Sequence, residues 1–245
     1  MKVYALRKIS VQCPKCEQVF ATMQAFRMPK ISLQSKVEAD LHRVLPDAFI
    51  RASLLSTCPE CIYTWWQSAF RTSFMLSAMV PDAPPVSNAK KFGHAVLTGR
   101  KEGAHALDRA MVALNGYWCA REDWQDGVRW LELASRELAE ALNDESWVGN
   151  RSRYHYIMGE VQRLLGNFDQ SLKYFGMVNR RSALPKELVV HQTNQARQGN
   201  SKPIVLPPHI IDGVFKLSPV IITPEKPQSE APFPYQVITQ NTATA

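Results

Sequence analysis

Four of the five cysteines fall in two matching units, Cys13-Pro-Lys-Cys16 and Cys58-Pro-Glu-Cys61. A Cys-x-x-Cys turn brings two thiolates to one ion, and two such turns on neighbouring hairpins complete a tetrahedron of sulfur ligands. Soft ligands in a closed set favour Zn2+, with iron in a four-thiolate centre as the chemical competitor. Four sulfurs leave no position for water, so metal-activated hydrolysis is not expected here. The proline in each turn fixes the backbone before the ion arrives and lowers the ordering entropy that binding must offset. Two disulfides, or redox-active pairs, are the alternative. Residues 1 to 10 carry charges where a secretory signal needs an apolar run, so the chain is expected in the cytoplasm, where disulfides are rare.

Knuckle turns often place glycine after the second cysteine, where the backbone turns left-handed. Here Glu17 and Ile62 stand in those places. A β-branched residue resists positive φ, so the second knuckle is expected to be distorted or differently turned. His42, between the cysteine pairs, is a spare ligand or, with four cysteines available, a surface or core histidine. Cys119, in Tyr117-Trp118-Cys119, reads as a buried inert thiol, with no adjacent base or helix start to lower its pKa. The other histidines lack metal-ligand spacing, and Gly99-Arg-Lys-Glu-Gly103 lacks the spacing of a phosphate loop. Glu122, Asp123 and Asp126 cluster at a turn, and Glu132, Glu137 and Glu140 recur along a helical face read as solvated. No catalytic pair stands out, and the chain is not expected to be an enzyme.

The elements that must position the cysteines are short. Residues 3–11 and 19–28 mix β-branched and aromatic residues with partial alternation, and 51–57 leads directly into Cys58, so all three read as strands. Residues 70–80 read as a short helix from the spacing of Phe74, Met75 and Ala78. The chain has no glycine before Gly93, and Val80-Pro-Asp-Ala-Pro-Pro-Val-Ser-Asn88 reads as a stiff linker. Its 245 residues suggest two modules and a tail: a zinc ribbon at 1–80, helices at 89–199, and a tail at 200–245 holding eight of the sixteen prolines. The fold class is α+β, a small β-rich ribbon followed by an α-helical domain and an irregular tail without a core of its own.

Within the helical part, 121–131 aligns with 165–175, pairing Trp124 with Phe168, Gly127 with Ser171 and Trp130 with Tyr174. Repeated helical hairpins bury little alone and gain stability by stacking. The second block, residues 154–175, resembles a tetratricopeptide repeat, with small residues at Gly159 and Ser171 and large ones at Met158, Phe168 and Phe175. It departs from that family at Gln162. The Gly166-Asn-Phe-Asp turn ends one helix and caps the next, and Pro185 suits the first turn of a closing helix to about Gln198. By this register Arg153, Tyr156, Glu160 and Arg163 line a ligand face for a protein or peptide partner. Arg163→Ala is then expected to change stability little.

Taken together, the two CPxC units with Val19-Phe20, Glu38-Ala-Asp40 and Tyr63, the 156–160 run and Gln195-Ala-Arg197 resemble a bacterial family of unknown function. That family joins a double CPxC zinc ribbon to tetratricopeptide-like helices. The resemblance implies shared architecture and a bacterial cytoplasmic setting, with no catalytic residues to carry over. The leading expectation is a zinc-binding scaffold or adaptor for protein–protein interaction.

The alternative expectation is nucleic-acid binding. Residues 1–75 hold ten Lys/Arg against five Asp/Glu, residues 76–180 thirteen against thirteen, and 181–245 six against four. The basic excess therefore sits in the ribbon, near Tyr63, Trp65 and Trp66, which are available in sequence for base stacking. No membrane span is expected, since Trp65 to Val80 is short and interrupted by Gln67 and Arg71.

Overall fold

In the computed structural model, which describes residues 6–25, 36–45, 48–147, 149–179, 182 and 184–215, β1 (Leu6–Gln12) and β2 (Val19–Ala25) form an antiparallel hairpin around the first cysteine pair. A short helix α1 (Ala48–Ala52) leads into a second hairpin, β3 (Leu55–Thr57) and β4 (Thr64–Trp66), around the second pair. β5 (Arg71–Thr72) then adds to β1, giving the sheet order β2-β1-β5. Helices follow: α2 (Asn88–Lys101), α3 (Ala106–Glu122), α4 (Val128–Asn143), α5 (Arg151–Leu164), α6 (Phe168–Gly176), α7 (Lys186–Arg197) and α8 (Pro208–Phe215). The class is α+β. The strand positions expected at 3–5 and 26–28, and the tail from 216, lie outside the described residues.

Residues 70–80 are not a helix. Phe70 turns inward onto Phe20 and Tyr63, with ring centroids at 5.8 and 5.6 Å. The chain then pairs as β5 and leaves as a turn, since so short a run cannot offset helix nucleation. Of the segment 51–57, only 55–57 is a strand; Arg51 and Ala52 belong to α1.

One apolar core runs through the ribbon and the helices, so the proline stretch does not separate two cores. That stretch instead extends the sheet: Ala21 N donates to Pro81 O at 2.8 Å and Ala83 N to Ala21 O at 2.7 Å. Helix α2 packs onto the second hairpin. A Cβ on Gly99 would lie 2.7 Å from the Trp65 ring, so a side chain there has no room. Helix α3 is buried nearly all round and forms the axis of the helical layer, whereas α4 buries one face.

The two helical hairpins share a device. Gly116 on α3 meets Trp130 on α4, and Gly159 on α5 meets Phe175 on α6; a Cβ at either glycine would sit 2.8 or 2.6 Å from the ring. The turns differ in length, running 123–127 in the first hairpin and 165–167 in the second. Trp124 thus lies in the first turn with φ 57°, while its sequence-aligned counterpart Phe168 opens α6. Gly166, at φ 79°, ends the second hairpin's first helix as the sequence implies. Asn167 holds the cap position, but its amide donates to Gln162 Oε1 at 2.9 Å rather than capping α6 through its side-chain oxygen.

The segment after α7 is part of the core. Ala39 N donates to Ile204 O and Leu206 N to Val37 O, both at 2.8 Å, and Leu206, Ile210 and Ile211 are buried. Residues 204–211 of the stretch read as a tail thus dock onto the core of the rest of the chain.

Candidate metal centre

Each cysteine pair sits at the tip of its hairpin, and the two tips are built alike. Cys13 N donates to Gln18 O at 2.9 Å and Glu17 N to Cys13 O at 3.1 Å; Cys58 N donates to Tyr63 O at 2.9 Å and Ile62 N to Cys58 O at 3.1 Å. Both turns need a left-handed residue after the second cysteine, and both have one: Glu17 at φ 63° and Ile62 at φ 58°. The second knuckle is not differently turned. Ile62 accepts the strained conformation because the hydrogen-bonded turn and the paired strands fix it. Replacing Ile62, which is exposed, with Asn should therefore raise stability by about 1 kcal/mol, read from denaturant melts. No gain would mean that the strain is relieved some other way.

The hairpins face each other tip to tip. Cys13 and Cys61 place their Sγ atoms 3.6 Å apart, Cys16 and Cys58 theirs 3.5 Å apart, and all four sulfurs lie within 4.8 Å of one another. A disulfide would need about 2.05 Å. An ion holding four sulfurs at about 2.3 Å would set tetrahedral edges of about 3.8 Å, close to what is found. The set can hold a metal ion. Cys13 and Cys58 are buried, while Cys16 and Cys61 are exposed.

Burial pushes the Cys13 thiol up, against the N–H groups of Cys16 and Lys15. It raises the Cys58 thiol in the same way, against Cys61 and Glu60 N–H. The Cys16 thiol is lowered, chiefly by the Gln18 N–H. A cation among them would supply the charge compensation that burial withholds from the inner pair. Lys15, between the first two cysteines, reaches Glu102 at the end of α2 at 2.8 Å and ties the knuckle to the helices.

A second polar cluster lies between residues 36–45 and α3. Glu38, Asp40 and His42 are all buried, with one potential ligand atom each within 4.8 Å of the others. Their groups are already engaged. His42 Nδ1 lies 2.7 Å from Glu38 Oε2 and Nε2 lies 3.0 Å from Glu122 Oε1. Arg121 grips Glu38, and Arg51 holds Glu122 at 2.8 Å and Asn115 at 3.0 Å. Asp40 accepts from Trp118 Nε1 at 2.9 Å, and Trp118 stacks on His42 at 5.2 Å.

His42 is thus a core histidine and not a spare sulfur substitute. The sequence presented Glu122 as part of an acidic turn and said nothing of Arg51 or Arg121. The available signal was a run of three polar residues at alternate positions, 38, 40 and 42, without a partner in view.

Burial pushes the Glu38 carboxyl up, but hydrogen bonds and charge from His42 and Arg121 outweigh it and hold it at about 2, below its ordinary 4.5. Glu122 is lowered too, burial being outweighed by His42 and Arg51. A carboxylate depressed on folding contributes stability that is present above its unfolded pKa and lost as the pH falls toward the folded one. Stability should therefore decline between about pH 4.5 and pH 2. In Glu38→Gln this decline should be shallower, as read from thermal midpoints across that window; an equal slope would exclude Glu38 as a main cause.

The proposed ligand face of α5 is not open. Tyr156, Glu160 and Arg163 are buried, and only Arg153 is partly exposed. Tyr156 Oη donates to Ala39 O, and Arg163 pairs with Glu160 at 2.9 Å and donates to Asn200 O and Lys202 O at 2.6 and 2.9 Å. The chain's own residues 37–39 and 200–206 cover the face, because Arg163 can satisfy backbone carbonyls that would otherwise be buried unpaired. Trp65 and Trp66 are buried as well, and Tyr63 packs edge-on to Phe70, so none of the three forms an open stacking platform. Cys119 is buried, with its thiol directed at Ala48 O at 3.6 Å.

Among the described residues, no helix is long and apolar enough to cross a membrane. Compared with known proteins, the chain matches no family model, no curated protein and no solved structure. What the structure shares with the likeness noted above is the cysteine cluster on N-terminal strands followed by helices.

Proposed function

We propose that the chain is a non-enzymatic, cytoplasmic scaffold for protein–protein interaction whose N-terminal ribbon is set by one structural Zn2+ on Cys13, Cys16, Cys58 and Cys61. The observation that carries this reading is the closed set of four sulfurs at near-tetrahedral separations. Such a set favours zinc by ligand softness and offers no site for substrate or water. The buried carboxylates and His42 are satisfied by one another, which supports a role in holding the ribbon to α3. The face of α5 is withdrawn as the partner surface, and nucleic-acid binding loses its aromatic support. Elemental analysis of the purified protein should give one zinc per chain, with the metal lost in Cys58→Ser. Protein without metal, or protein carrying iron, would overturn the assignment.

A further inference from the structure

The turn between β5 and the proline stretch is apolar and points outward. Phe74 is 104% exposed, Met75 51%, Leu76 69% and Met79 73%. Its base is fixed: Ser73 N donates to Ser10 O at 2.9 Å on one side, and Pro81 and Ala83 pair with Ala21 on the other. Within the turn Met79 N donates to Leu76 O at 2.9 Å and Met75 N to Ser73 Oγ at 3.2 Å. Four large apolar side chains are thus held in water by a braced backbone, in a place where any polar residue would fit equally well. Such a patch marks an interaction site.

We propose that this tip is a membrane-surface contact, which enters the interface of an anionic bilayer while Arg71 at its base meets the headgroups. Phe74, Met75 and Leu76 are consecutive and all exposed, so they share no single flat face. A fluid acyl phase surrounds such a tip, whereas a flat rigid partner reaches one side of it. The charge pattern agrees. Residues 72–81 carry no charge, the exposed Arg71 stands opposite Gln12 at the base of the turn, and the nearby Lys8 and Asp82 are paired to each other at 2.6 Å. An uncharged apolar tip above an exposed arginine suits interfacial anchoring on anionic lipid. Surface contact of this kind needs no spanning helix, and it does not depend on which metal the cysteines hold.

Co-sedimentation of the full chain with vesicles of phosphatidylcholine, with and without phosphatidylserine, tests this. Binding is expected with the anionic vesicles and should weaken with added salt. The pair Phe74→Ser and Leu76→Ser should lower partitioning on the order of tenfold or more, and Arg71→Ser by a few fold. Because these side chains are exposed, thermal midpoint and metal content should not change, which separates this result from any failure of the metal assignment. Protein that stays in the supernatant with both compositions, or a double variant that partitions as well as the parent, overturns the proposal. A parent that ignores vesicles but forms a dimer abolished by the same substitutions also overturns it, and assigns the tip to a second copy of the chain.

Discussion

Stripping the metal with a chelator should unravel the two knuckles while the α3–α4 hairpin stays folded. Apparent binding energies for structural zinc are on the order of 10 to 16 kcal/mol, comparable to the whole stability of a small domain. Without the ion, the tips retain two buried thiols and two residues strained at positive φ. Amide exchange should rise first at Glu17 and Ile62, whose N–H groups close the turns, and then through β3 and β4. Residues 36–45 should lose less protection, because Arg121, Glu122 and Trp118 hold them to α3 independently of the knuckles. Exchange that is unchanged on chelation would show that the ribbon stands without its metal.

Arg163→Ala should cost about 3 to 5 kcal/mol, since breaking a buried pair leaves an uncompensated charge. The Glu160 carboxyl, pushed up by burial to about 7 even against its Arg163 partner, would lose that partner, and the carbonyls of Asn200 and Lys202 would lose their donor. Arg163→Lys should recover only part of the loss, because an ammonium cannot make the guanidinium's parallel bonds to Glu160 while holding two carbonyls. Denaturant melts measure both. A change within about 0.5 kcal/mol for the alanine variant, as for an exposed residue, would return α5 to the list of open faces.

The same arginine shows where sequence reasoning stops. Hydrophobic periodicity counts a charged side chain as outward-facing, so Glu160 and Arg163 read as part of an open ligand face. They are inside because they neutralise each other and because residues from 200 onward bring carbonyls to them. Glu38 and Arg121 are 83 positions apart, and no local pattern joins them. By contrast, the cysteine spacing, the strand alternation before and after Cys13, and Gly159 opposite Phe175 are local signals with one geometric solution each. Ile62 falls between these cases. Its type argued against a left-handed turn, but the hydrogen-bonded turn and the paired strands impose one.

The closure of residues 204–206 onto 37–39 has a consequence for synthesis. Both cysteine knuckles close within residues 13–63, ahead of the helices in the chain, so they can form while the helices are still being made. The strap at 36–45 has to wait, first for α3 to supply Arg121 and Glu122 and then for residues 200–206 to close the bridge. Contacts of such sequence separation form late. Until then Glu38, Asp40 and His42 are hydrated by water, while Val37, Leu41 and Leu45 of the same segment, buried in the finished fold, stay exposed between them.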